Sequence, residues 1–138
     1  MDIGKVMIVL AGLLAAVSAQ AQTRERQQES LDAYLPYAGA PVDRFQFWKL
    51  TNWQLVGENK VIVWPRLNQA FLLTVDEPCM DLEWANSIAV TSSTHIVSVR
   101  FDSVKAGKDT CRINEIRPID YKKYRQERAA AKSEGKSS

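Results

Sequence analysis

The sequence predicts a mainly β fold, a small antiparallel sandwich or barrel, with a cleaved N-terminal signal helix before it and a C-terminal helical tail after it. Three observations carry that expectation. Short β-prone runs recur between turn signals from Phe45 to Ile116. An unbroken apolar run, Val6 to Val17, sits near the start. From Asp120 onward the chain turns to Tyr, Lys, Arg, Gln, Glu and Ala, good helix formers behind an Asp that can cap them.

The first element is the leader. Met1-Asp2-Ile3-Gly4-Lys5 precedes the apolar run, and Ser18-Ala19-Gln20-Ala21 closes it with a small-x-small ending. A short basic start, an apolar stretch and that ending form a secretory signal, with cleavage expected after Ala21. As a membrane span the run is short, because a bilayer takes about 20 apolar residues. No cysteine follows it to receive a lipid, and no second long apolar segment occurs, so no integral membrane segment is expected after cleavage. Residues 1–21 are thus read as signal peptide. Residues 22–36 are read as a polar lead-in with a short helical turn, built by Leu31, Tyr34 and Leu35 and stopped by Pro36. Residues 37–120 form a single β-rich domain, and residues 121–138 a basic tail, helical or disordered.

Within the domain, Gly39 and Pro41 mark the entry turn. Phe45 to Leu50 carries apolar side chains on both faces. Trp53–Val56 and Val61–Trp64 flank Gly57-Glu58-Asn59-Lys60, which is a hairpin signature. Ala70–Val75 follows a Pro65–Gln69 connection. The runs Val61–Trp64 and Ala70–Val75 are apolar throughout, which places them as central strands covered on both sides. Asp81–Asn86 is read as a helical turn. Ile88–Thr91 and Val97–Phe101 read as further strands, the latter with Val97, Val99 and Phe101 facing inward. Cys111–Ile116 is the last.

Only two cysteines are present, Cys79 and Cys111. In an oxidising compartment an even pair is most simply a disulfide. Closing that loop removes denatured-state entropy worth roughly 3.5–4 kcal/mol on the chain-entropy account. A redox role lacks both a Cys-x-x-Cys spacing and a helix start to acidify a thiol. Charge is uneven. Residues 22–120 hold 11 Lys/Arg against 13 Asp/Glu, whereas residues 121–138 hold 6 against 2, so the basic excess lies in the tail.

Chemistry-bearing residues are sparse. His95 is the only histidine, so no metal site at His/Cys ligand spacing is expected. Ser92 or Ser93 with His95 and Asp102 could be arranged as a hydrolytic triad, yet no nucleophile-elbow pattern surrounds them, and a polar loop is the simpler reading. Asp76/Glu77 and Asp81/Glu83 are carboxylate pairs of the kind that split acid and base roles in glycoside hydrolysis. Flanking Pro78-Cys79, they read equally as solvated turn residues. Of the four tryptophans, Trp48 and Trp64 lie in apolar runs and are expected in the core. Trp53, beside Asn52 and a loop, is the candidate for stacking a ligand. The tail could touch anionic headgroups or other polyanions. No phosphate-cradling glycine loop or dinucleotide fingerprint is present.

Several phrases resemble a known group. Tyr37-Ala38-Gly39-Ala40-Pro41-Val42-Asp43-Arg44-Phe45, Ala70–Val75, Pro78-Cys79-Met80-Asp81-Leu82, Ile88–Ser93 and Cys111–Asp120 are similar to a family of small exported proteobacterial proteins known only as a domain of unknown function. The similarity runs from about Tyr37 to Asp120. Its most specific parts are the Pro-Cys-x-Asp-Leu turn and the Cys…Ile-Arg-Pro ending. The resemblance implies export and a shared domain and brings no catalytic residue or cofactor.

The functional expectation is therefore a non-catalytic envelope interaction or binding module, periplasmic or secreted, holding a protein or glycan partner and no nucleic acid. The alternative is a small periplasmic hydrolase acting on a glycan or ester. No catalytic residue, cofactor or metal is assigned.

Overall fold

Two neighbouring runs with apolar residues on both faces set the centre of the molecule. In the computed structural model, which describes residues 23–137, β3 (Lys60–Arg66) and β4 (Gln69–Val75) lie side by side inside a six-stranded antiparallel sheet. The expected signal, residues 1–21, lies outside the described residues. The sheet runs β2 (Asn52–Gly57), β3, β4, β8 (Asp109–Ile119), β7 (Ser103–Ala106), β5 (Ala89–Val90). It curls into a half-barrel. A two-stranded ribbon of β1 (Arg44–Gln46) and β6 (Ile96–Ser98) stands apart from it.

Strand alternation sends side chains to two cores. On one face Val61, Val63, Phe71, Leu73, Val75, Val104 and Ile113 pack with Phe45, Phe47 and Val97 of the ribbon and with Leu82. On the other face Val56, Ile62, Trp64, Ala70, Leu72 and Ile119 pack against helices. The described chain opens in one of these, α1 (residues 23–34), which continues into a 3-10 turn, Leu35–Tyr37. The other is α2 (Tyr121–Ser137). Both faces of β3 and β4 are therefore covered, which is why their sequences do not alternate between apolar and polar.

The expected hairpin forms, with Trp53 opposite Val63 and Leu55 opposite Val61. The helical turn near Asp81 is a 3-10 turn, Met80–Leu82. Three differences have physical reasons. The lead-in is helical from residue 23 rather than for one turn, because Glu, Arg and Gln sustain a helix that Leu31 and Tyr34 anchor by burial. The strand expected over Val97–Phe101 stops at Ser98. Arg100 there takes a left-handed φ of 68°, which reverses the chain and leaves Phe101 73% exposed rather than inward. A short strand, β7, was absent from the expectation, because only Val104 and Ala106 mark its buried face.

Residues 38–42 complete the sheet where β7 runs out. Gly39 N–H donates to the Pro118 carbonyl and Val42 N–H to that of Ile116, each at 2.8 Å. The expected disulfide is present: Cys79 and Cys111 are bonded, with Cα atoms 5.9 Å apart. Beside it, Asp81 and the turn after β7 hold each other. Asp81 Oδ2 accepts Lys108 N–H at 2.7 Å, and Asp81 N–H donates to Asp109 Oδ2 at 2.9 Å.

Candidate functional site

The serine–histidine neighbourhood does not assemble. Asp102 is buried because its carboxylate has structural partners. Oδ1 accepts the Thr91 hydroxyl and Oδ2 accepts Ser98 N–H, both at 2.8 Å. Thr91 Oγ1 in turn accepts Ser103 N–H at 2.9 Å, so the three tie β5, β6 and β7 together. A buried carboxylate satisfied in this way is a staple. Ser92, Ser93 and His95 are exposed. His95, at φ 59°, stacks on Trp48 with ring centroids 3.9 Å apart, and its carbonyl accepts Phe47 N–H.

The acidic pairs are also separated. Asp81 turns to the Lys108 amide, and Asp76 accepts the Asn114 side-chain amide at 2.9 Å. Glu77 and Glu83 instead line a shallow pocket with Glu58, Cys79 and Met80, next to the disulfide. Met80 and Trp84 are exposed there. Among the described residues, Cys79, Cys111 and Asp109 are close enough to resemble a metal cluster. The two sulfurs are bonded to each other, so they offer no thiolate to a cation.

The tryptophans divide differently from expectation. Trp64 is in the core, 4% exposed, whereas Trp48 is 64% exposed. Strand β1 ends at Gln46, so Trp48 falls past the last paired residue and leaves the sheet. Trp53 is half-buried and packs on the ribbon-side core.

A concave feature lies beside the segment that the sequence marks only as a tail. Asp120 caps α2 by accepting Lys123 N–H at 3.1 Å. Tyr121 and Tyr124 then dock the helix. Tyr124 stacks on Tyr34 of α1 at 4.4 Å between ring centroids, and Tyr121 meets Trp64 edge-on at 5.4 Å. The exposed side of the helix carries cations. Lys122, Arg125, Ala129 and Lys132 are spaced three, seven and ten residues from the first, which keeps them on one face. With Arg128 and Asn68 they border a groove of about 660 Å³.

Three contacts hold the guanidinium groups. Arg125 donates to Asn68 Oδ1 at 2.8 Å and lies over the Tyr121 ring, and Arg128 lies over Tyr124. Glu127, on another side of the helix, accepts the Tyr37 hydroxyl, and this bond raises the Tyr37 pKa. Among the described residues the one ion pair is Arg24–Glu58, at 4.0 Å. The cations of the groove are therefore not neutralised by carboxylates of the fold.

A second pocket, of about 380 Å³, continues the first through Asn68 and Arg125 and adds Thr51, Asn52, Trp64 and Tyr121. The Trp64 indole N–H is buried with no acceptor among the described residues. The excess of tail cations was legible in the sequence. Its partner, the Leu67-Asn68 turn of β3–β4, was not, because nothing local links residue 68 to residue 125.

Compared with known proteins, the chain matches a family of unknown function (DUF6491) over residues 3–135, and it belongs to that family. No curated protein and no solved structure matches it.

Proposed function

We propose that this member of a family without an assigned function is an exported, non-catalytic interaction module that holds an envelope partner through the groove between α2 and the β3–β4 turn. The observation that carries the reading is the contrast between its two kinds of polar residue. Asp102, Asp81 and Asp76, one member of each candidate hydrolytic set, are spent on backbone and side-chain hydrogen bonds of the fold. The cations Lys122, Arg125 and Lys132 instead converge on an open groove with no carboxylate of the fold against them. Export is supported by the tripartite leader and by a disulfide that suits an oxidising compartment. Among the described residues no helix is long and apolar enough to cross a membrane, which is compatible with that reading.

The test uses the chain from residue 22 onward, tagged at its N-terminus and mixed with envelope extract of its own host. Retention of a partner is expected to survive His95→Ala and Glu83→Ala and to fall in Lys122→Ala/Lys132→Ala. Loss of retention in the first two variants with none in the third would favour the hydrolytic alternative at residues 81–95. Protein from the native host with both thiols free would remove the case for export.

A further inference from the structure

Resting on that reading, we infer that the groove takes an acidic saccharide chain, a polymer carrying carboxylates or sulfates beside free hydroxyls. Charge sets the first requirement. Lys122, Arg125, Arg128 and Lys132 face an open groove, and a ligand that enters it must be anionic for their potential to favour it. Arg125 is held in place by Asn68 and by the Tyr121 ring, so little of its side-chain freedom remains to be lost on binding.

The second pocket sets the other requirement. It continues the same groove and shares Arg125 with it, but the rest of its polar wall is neutral: the Thr51 hydroxyl, which donates to the Pro65 carbonyl, and the side-chain amides of Asn52 and Asn68. The amide oxygens accept Trp53 N–H and Arg125 respectively, and the NH2 groups remain to donate. Such groups donate and accept at once, which suits sugar hydroxyls and adds nothing for a bare phosphate. Tyr121 supplies a partly exposed ring beside them. Trp64, 4% exposed, lines this pocket too, and its indole N–H lacks an acceptor. Buried donors are paired in folded proteins far more often than not, and this one has no acceptor among the described residues. One continuous groove with cations at one end and neutral hydrogen-bonding groups at the other therefore matches a chain bearing both anionic groups and hydroxyls.

Arg24, near the beginning of α1, contacts Glu58, which precedes β3, whereas Asn68 follows β3. A strand of seven residues separates them by roughly 20 Å. The groove thus lies at the end of β3 opposite to the one that Arg24 of α1 contacts.

The experiment is affinity electrophoresis of the chain from residue 22 onward through gels containing polygalacturonate, neutral dextran or long-chain polyphosphate. A parallel arm floats the protein with vesicles containing phosphatidylglycerol. Retardation by polygalacturonate and none by dextran is expected. Lys122→Ala/Lys132→Ala should weaken the polygalacturonate interaction about tenfold, and Lys123→Ala, off the groove, should leave it unchanged. Arg125→Ala tests the same end but breaks the contacts with Asn68 and the Tyr121 ring, so the lysine pair, whose side chains make no hydrogen bond or ring contact with either, decides the point. Asn52→Ala should weaken binding to polygalacturonate and leave any binding to polyphosphate as it was.

Polyphosphate or vesicles bound as tightly as polygalacturonate, with Asn52→Ala without effect, would reduce the site to bare charge and overturn the saccharide assignment. So would lysine-pair binding equal to that of the parent. If envelope retention depends on the groove while polygalacturonate is ignored, the saccharide assignment alone falls. If retention is indifferent to the groove, the interaction reading falls with it.

Discussion

At the scale of single residues, the positions that matter most are those where the backbone leaves common ground. Gly107 sits at φ +57°, and a β-carbon there would lie 2.7 Å from Asp81 Oδ2. Gly107→Ala combines left-handed strain with a clash against a hydrogen-bonded carboxylate. It should cost about 1–3 kcal/mol in urea unfolding. Gly57→Ala meets only ordinary contacts, the nearest at 3.6 Å, and should stay within about 0.5 kcal/mol. A second expectation concerns pH. Burial, reinforced by the hydrogen bond with Tyr124, raises the Tyr34 phenol above its ordinary value of 10.0. The folded state therefore holds that proton more tightly than the unfolded chain does. This contribution is complete below the unfolded value and is lost as pH rises beyond it towards the folded one. Thermal melts above about pH 10 should show falling stability, and Tyr34→Phe should flatten that fall. Residue-level burial was only partly legible in the sequence. Trp64 could be placed in the core from its apolar neighbours. Trp48 has equally apolar neighbours, but its exposure is decided by where β1 stops pairing, a tertiary fact. The reversal at Arg100 had no signal at all, since neither glycine nor asparagine marks it.

Among elements, the strands with strong β composition were readable and the one with weak composition was not. The central strands declared themselves by being apolar on both faces, because a face that meets a helix must be as apolar as one that meets another sheet. Strand β7 offers two small buried side chains and earns its place by pairing with β8, from Ser103 opposite Arg112 to Ala106 opposite Asp109. The Gly107-Lys108 turn before Asp109 was the usable signal for it. The tail was legible as a helix from composition. Its role was not, because docking depends on Tyr34 and Trp64, far away in sequence. Ending the chain after Asp120 should therefore do more than remove charge. It uncovers Trp64, Tyr34 and Ile119 and should lower stability by about 2–4 kcal/mol in denaturant titration. A merely solvated tail would leave the midpoint where it was.

For the molecule as a whole, one covalent bond joins the loop after β4 to β8, two strands already paired from Ala70–Ile119 to Val75–Ile113. Cys79→Ala/Cys111→Ala should lower stability by about 3–4 kcal/mol, read from the urea midpoint under non-reducing conditions, since the loop it frees spans 32 residues. The same bond governs how the molecule bears a load. Pulled between its two ends, the chain transmits tension into Cys79, across the sulfurs and out through Cys111. Everything between them, including β5, β6 and β7, stays slack whatever else unravels. About 110 Å of contour remains hidden from the force until the sulfurs part, so an oxidised molecule tethered at both termini yields only the shorter extension.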